Sequence, residues 1–260
     1  MFKKIEKIIK YPRVINYFPD ILVDNTGYVG APAIKEQLCQ KCHICAQNCP
    51  SHAITIDENN FPNVHIDQCI YCSLCQDLCP TQAIFMTESY TDATSNKANL
   101  LRKPTVIIDA PTQNMDELSQ ELKNKIQTTL RRSLQIREID AGSCNGCDYE
   151  ANAIMNPLND ADRLGISFVA SPRHADMLLV TGPVSRNMHR ALLQAYHATP
   201  DPKIVVALGA CACSGGIFRD SYATSCGVDT VIPVDMYIPG CPPRPPAVLY
   251  GILKAIDKIK

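Results

Sequence analysis

Apolar residues follow different rhythms in different parts of this chain. From Pro104 onward, short apolar runs alternate with stretches in which apolar positions recur every three or four residues. The runs TVIIDA, LQIREID, GISFVAS, DMLLVTG, KIVVALG and TVIPVD each predict a strand. Met115, Leu118, Leu122, Ile126 and Leu130 recur at helical spacing and predict a helix from Met115 to Arg132, with further helices around Glu150–Met155 and Met188–His197. Strands alternating with helices predict a parallel sheet in an α/β domain over residues 104–260. Earlier in the chain, the β-prone runs AITI and AIFM flank DENNFPN, which reads as a hairpin turn. Residues 88–103, ESYTDATSNKANLLRK, are polar and weakly periodic and predict a linker. The segment 1–34 opens with Phe2, Ile5, Ile8 and Ile9 at helical spacing between lysines. That predicts a short amphipathic helix, lying on a membrane or partner subunit or packing on its own protein.

Composition narrows this picture. The 260 residues are 46% hydrophobic and 20% charged, a soluble globular balance with room for one large or two modest domains. A net charge of -1 gives no global field for nucleic acid, so no nucleic-acid partner is expected. Local asymmetry exists: residues 1–13 are basic, whereas residues 35–90 carry more acids than bases. No run reaches the roughly 18 apolar residues of a membrane span. The start, MFKKIEKIIKYPR, has charges through its apolar part, unlike a signal peptide, and a twin-arginine signal is absent. A cytoplasmic location is therefore expected, where thiols stay reduced and grouped cysteines bind metal.

That expectation matters because the chain has 14 cysteines. Eight lie in an internal repeat: CQKCHICAQNCPSHAITI and CIYCSLCQDLCPTQAIFM match at an offset of 30 residues. Each repeat has the spacing Cys-x2-Cys-x2-Cys-x3-Cys-Pro. Three cysteines at this spacing can wrap one loop around an iron–sulfur cube. In two-cluster bacterial ferredoxins the fourth ligates the other cluster. Applying that rule gives Cys39, Cys42, Cys45 and Cys79 for one [4Fe–4S] cluster, and Cys69, Cys72, Cys75 and Cys49 for a second. Residues 35–87 thus read as a bacterial-ferredoxin-like α+β domain. Zinc and disulfides are the competing readings, but zinc usually takes pairs of Cys-x-x-Cys rather than duplicated triplets, and a reducing compartment disfavours disulfides.

Six cysteines remain: Cys144, Cys147, Cys211, Cys213, Cys226 and Cys241. Cys144 and Cys147 form a Cys-x-x-Cys pair, either a redox disulfide or half of a metal site. Cys211 in GACACSGG and Cys241 in PGCPPRPP sit in loops hemmed by Gly and Pro, which let backbone approach a bulky group. One cluster held by Cys144, Cys147, Cys211 and Cys241 is the economical solution. Cys213 rivals Cys211, and Cys226 is expected to have no ligand role.

The motifs from LQIREIDAGSCNGCDYEANAI through GACACSGGIF to PGCPPRPP resemble the small subunit of membrane-associated group 4 [NiFe] hydrogenases, the branch related to formate hydrogenlyase and respiratory complex I. The likeness runs from about Ser133 to the C-terminus, and the N-terminal part resembles the two-cluster ferredoxin subunit of the same complexes. The resemblance implies a flavodoxin-like α/β core and a cluster whose ligands match Cys144, Cys147, Cys211 and Cys241. It also favours Cys211 over Cys213. It further implies three [4Fe–4S] clusters, a large-subunit partner holding the nickel–iron centre, other iron–sulfur or ferredoxin partners, membrane subunits, and a peripheral position on the membrane's inner face. The complex I branch has adjacent cysteines where this chain has Cys144-Asn-Gly-Cys147, a spacing that sides with hydrogenases. A nickel-free complex-I-like oxidoreductase reducing quinone or a sulfur compound is the alternative. A stand-alone ferredoxin-type carrier is a third reading, disfavoured by the long α/β domain.

Arg173 in SPRHAD and Arg244 in CPPRPP are expected near the cluster loops, where a cation would favour a reduced cluster, although either could simply pair with a nearby acid. Glu150, three residues after Cys147, reads as a proton carrier, a partner contact or a first-turn glutamate favoured by the helix dipole. Nothing in the sequence forms a hydrolytic triad, a P-loop or a dinucleotide fingerprint.

Overall fold

The computed structural model describes residues 28–105 and 115–257. The amphipathic stretch 1–13 and all of TVIIDA except Thr105 lie outside the described residues.

The N-terminal domain is built twice from one plan. In each half a cysteine loop leads into a one-turn helix, α1 (Ile44–Gln47) and α2 (Leu74–Asp77), and then into a strand, β2 (Ile54–Ile56) and β4 (Ile84–Met86). β2 pairs antiparallel with β3 (Pro62–His65) across the expected hairpin, whose turn is closed by the Asp57 N–H on the Phe61 carbonyl at 2.9 Å. β4 pairs antiparallel with β1 (Pro32–Ile34), so the domain begins before residue 35. Ile34, Ile54, Val64 and Ile84 form its small core beneath the cysteines.

The polar stretch 88–103 is not a free linker. It contributes β5 (Leu101–Arg102), a third strand on β3, and buries Leu100, whose carbonyl accepts the Ile66 N–H at 2.8 Å. Before that, Thr94 forms an antiparallel bridge with Tyr237 of the second domain. Two-residue ladders are too short to leave a periodic signature, which is why the sequence reads as loop.

The second domain starts with α3 (Met115–Thr129), followed by five parallel strands: β6 (Leu134–Asp140), β7 (Ile166–Phe168), β8 (Met177–Thr181), β9 (Ile204–Leu208) and β10 (Met236–Ile238). Their order is β10-β9-β8-β6-β7. Numbered within the domain and read from the β7 edge this is 2-1-3-4-5, the flavodoxin-like order, with its switch point between β6 and β8. β8 and β9 are buried along their whole length because helices or the N-terminal domain cover both faces, hence their continuous apolar runs. One face packs on α3, α4 (Gly146–Ala153), α5 (Ala161–Leu164) and α8 (Pro245–Ile256). Leu118, Leu122 and Ile126 of α3 are fully buried there, each contributing about 1.5–3 kcal/mol of hydrophobic stabilisation. The other face packs on α6 (Arg186–Ala198) and on Ala31, Ile66 and Leu100 of the N-terminal domain. The two domains therefore share a core.

TVIPVD does not form the fifth strand. Pro233 lacks the N–H that a ladder needs, and Val228–Thr230 just before it is a 3-10 turn, with the Thr230 hydroxyl on the Gly227 carbonyl at 2.7 Å. The strand begins one residue after the run, once the Asp235 carboxylate has accepted the Val205 N–H at 2.9 Å.

Candidate metal centres

Two cavities in the N-terminal domain gather its eight cysteines. Cys39, Cys42, Cys45 and Cys79 line the first. Cys49, Cys69, Cys72 and Cys75 line the second. Each cavity thus joins a triplet from one repeat to the fourth cysteine of the other.

Local backbone makes this possible. Lys41 and Tyr71 have φ 55° and 56°, His43 and Ser73 have 61° and 62°, and His52 and Gln82 have 51° and 53°. Left-handed conformations in non-glycine residues cost about 1–3 kcal/mol each, and they recur at the same offset in both repeats. Sulfurs accept backbone N–H groups: Cys49 from Ala53 at 3.3 Å, Cys79 from Ala83 at 3.2 Å, and Cys69 from Tyr71 at 3.4 Å. Burial pushes the Cys45 thiol up to about 11 and those of Cys69 and Cys75 to about 12, and neighbouring thiols push the same way. At Cys79 burial also raises the pKa, but N–H donors outweigh it and the net shift is downward. Thiolates crowded in low dielectric call for a cationic counter-group, and coordination to a metal deprotonates such thiols outright. Four soft sulfur donors around each cavity fit iron–sulfur ligation.

The third group forms at the carboxyl edge of the parallel sheet, where open α/β sheets place their sites. Cys144 and Cys147 follow β6, Cys211 follows β9 on the short helix α7 (Ala210–Ser214), and Cys241 follows β10. Asn145, between Cys144 and Cys147, is left-handed at φ 67° and caps α4. His43 and Ser73 cap α1 and α2 in the same way within Cys42–Cys45 and Cys72–Cys75. The pair at Cys144 therefore has the local backbone of the two cysteine repeats.

Burial raises Cys147 strongly, and Cys211, Cys241 and Cys144 add electrostatic repulsion in that order. Cys211 is pushed up to about 11 by burial and then by Cys241 and Cys144. Gly209, at φ 90°, makes room for this convergence: a Cβ there would stand 2.4 Å from the Cys147 sulfur. Cys213 points instead into the core, fully buried, its thiol on the Ala207 carbonyl at 3.6 Å. The Cys226 thiol is on the Arg219 carbonyl.

Arg244 caps α8 three residues after Cys241, and its charge opposes the burial that raises Glu150. Arg173 is not near this group. β7 pairs only with the first three residues of β6, so the short connection to β8 leaves and re-enters the sheet at the level of Ile136, far from the carboxyl ends of the strands. Val169 still bonds the Ile136 carbonyl, and Asp176 bonds that of Gln135 near the start of β6. Arg173 and His174 lie in the 3-10 turn between these bonds, exposed at the edge where the strands begin.

One feature beside Cys147 escapes sequence reasoning. Asp148 accepts the Thr181 hydroxyl at 2.7 Å and that of Ser143, so it joins β6 to β8 at the switch point. Glu138 of β6 meets it from within the domain. Burial, and then its hydrogen bond to Asp148, hold the Glu138 carboxyl up at about 7. An acid placed inside the run LQIREID rather than at its end, as Asp140 is, is the signal that marks it.

The domains are fastened beside the cysteines. The Ser214 hydroxyl of α7 donates to the Asp67 carbonyl at 2.7 Å, fully buried, two residues before Cys69. Lys97 and Asp229 pair across the same boundary at 2.8 Å.

Residues 144–255 match the NADH ubiquinone oxidoreductase 20 kDa subunit family, and residues 38–83 match a 4Fe-4S dicluster domain. Formate hydrogenlyase subunit 7 of Escherichia coli is 49% identical over 146 residues, 56% of this chain and 57% of that protein. The probable membrane-bound hydrogenase subunit mbhJ of Pyrococcus furiosus is 49% identical over 49% of this chain and 77% of its own length. An NADH-quinone oxidoreductase subunit of Geobacter metallireducens is 52% identical over 44% of this chain and 66% of its own length. The chain is an iron–sulfur protein of the oxidoreductase family defined by the NADH ubiquinone oxidoreductase 20 kDa subunit, preceded by a 4Fe-4S dicluster domain.

Proposed function

We propose that this chain is the iron–sulfur electron-transfer subunit of a membrane-associated [NiFe] hydrogenase complex. In this reading it carries three [4Fe–4S] clusters, held by Cys39, Cys42, Cys45 and Cys79; by Cys69, Cys72, Cys75 and Cys49; and by Cys144, Cys147, Cys211 and Cys241. A bound [4Fe–4S] cluster supplies one-electron redox chemistry. The protein's part is to hold the thiolates, limit water access and fix the spacing between sites.

The observation that carries this reading is the proximity of Cys72 to Cys241. Cys241 is raised by burial, then by Cys144, and then by Cys72 of the second site. That proximity supports a series in which the second site lies between the first and the one at the sheet edge. The buried Ser214–Asp67 bond and the shared core support a fixed spacing between the last two. Tyr149, Ile217 and Phe218 are exposed around Cys147 and Cys211, an apolar rim suited to a large subunit that holds the nickel–iron centre. Among the described residues no helix is long and apolar enough to cross a membrane, so attachment would run through partner subunits. Electrons would enter or leave at the first site through a ferredoxin or another iron–sulfur subunit.

The 52% identity to an NADH-quinone oxidoreductase subunit favours a second reading. In it the partner lacks nickel, and quinone or a sulfur compound is reduced. Metal analysis and H2-dependent dye reduction on the co-purified complex separate the two. Nickel with dye reduction supports the hydrogenase; a complex without nickel and inert to H2 refutes it. About twelve irons per chain are expected from three four-iron clusters, and about eight would remove the third site.

A further inference from the structure

The two cysteine repeats share their left-handed residues and the N–H···S bonds at Cys49 and Cys79, so each serves as a control for the other. Where they differ is in the side chains of the ligand loops. Between Cys39 and Cys42 stands Lys41; at the same position between Cys69 and Cys72 stands Tyr71. Lys41 lines the first cavity, and its exposed side chain reaches the neighbouring hairpin. Its Nζ donates to the Asn59 carbonyl at 2.9 Å and stands 4.0 Å from the centre of the Phe61 ring. Among the described residues no carboxylate forms an ion pair with it. Asp57 caps the same hairpin, but through the N–H groups of Asn59 and Phe61. Tyr71 is uncharged and packs against the core of the α/β domain.

We propose that Lys41 is a potential-setting residue, whose fixed charge holds the first site at a higher reduction potential than the second. The inference rests on the ferredoxin-type ligation above. Adding an electron to a thiolate-held cluster adds negative charge, which a nearby cation stabilises and burial opposes. Both effects act in one direction. The first site has Lys41 and a partly exposed Cys39, whereas the second has Tyr71 and a Cys69 only 8% exposed. The extra N–H bond from Tyr71 to the Cys69 sulfur acts the other way, but a peptide dipole is weaker than a full charge. The first electron added to the ferredoxin domain therefore settles on the site farther along the series from Cys241.

The test is a redox titration of the whole chain with dithionite, followed by EPR, with iron and sulfide measured on the same samples. The wild-type protein should reduce its two ferredoxin clusters in separate steps. A single overlapping step overturns the proposal without any variant. Lys41→Gln should move the higher step down toward the lower, which stays in place, and Lys41→Arg should leave both where they were. If Lys41→Gln leaves the higher step unmoved at full iron content, Lys41 does not set the potential. Failure of the underlying ligation would be seen separately, as wild-type protein lacking the iron of two ferredoxin clusters.

Discussion

Gly209→Ala tests the third site at the point where sequence and tertiary structure meet. Gly209 follows β9 with φ 90° and ψ 162°, a conformation reached almost only by glycine. An added Cβ would lie 2.4 Å from the Cys147 sulfur, with the Gly240 carbonyl oxygen at 3.4 Å and Pro243 Cδ at 3.6 Å on other sides. Ordinary contact between such atoms needs about 3.5–4.0 Å, so the sulfur must retreat by about 1 Å or more. The backbone term costs about 1–3 kcal/mol and the overpacking a further 1–3 kcal/mol. Iron–sulfur ligation tolerates little displacement of a donor, so the strain should be relieved by losing the cluster rather than by unfolding the domain. Iron should fall from about twelve to about eight per chain. The two ferredoxin EPR signals and the far-UV circular dichroism should persist. A variant with full iron and an unchanged third signal would refute the packing of Cys147 on the end of β9.

Two further substitutions bear on the same edge of the sheet. Cys211→Ser should remove the third EPR signal, whereas Cys213→Ser should keep it, because the Cys213 thiol is spent on the Ala207 carbonyl; the reverse result reassigns the ligand. Glu138→Gln tests the buried acid pair. The folded-state pKa of Glu138 is about 7 against a reference value of 4.5. Between these values the folded chain keeps a proton that the unfolded chain has lost, so this group's contribution to stability falls as pH rises through the window. The glutamine variant should therefore be more stable than wild type at about pH 8, by about 1–2 kcal/mol after discounting for partial exposure. That gap should close toward about pH 4.5 in chemical denaturation curves. A pH-independent difference would show that Glu138 is ionised when folded.

Much of this protein is local and therefore legible in its sequence. The eight-cysteine repeat specifies its own loops, because spacing alone decides which thiols one turn of chain can bring around a cube. The alternating apolar runs specify the α/β layers, since period two and period 3.6 bury different faces. Cys144 and Cys147 are legible for the same reason. Other features depend on distant partners. Nothing near Arg173 reveals that its loop stays toward the end of the sheet where β6 begins; that follows from β7 pairing only with Leu134, Gln135 and Ile136. The polar stretch 88–103 reads as a linker until β3 and Tyr237 supply the backbone groups it pairs with. The choice between Cys211 and Cys213 needs the direction of α7 against β9, and the proximity of Cys72 to Cys241 needs both domains docked. Sequence determined which chemical groups the chain carries and how neighbours are spaced. Only tertiary packing decided which of those groups face one another, because that depends on contacts between residues far apart in the chain.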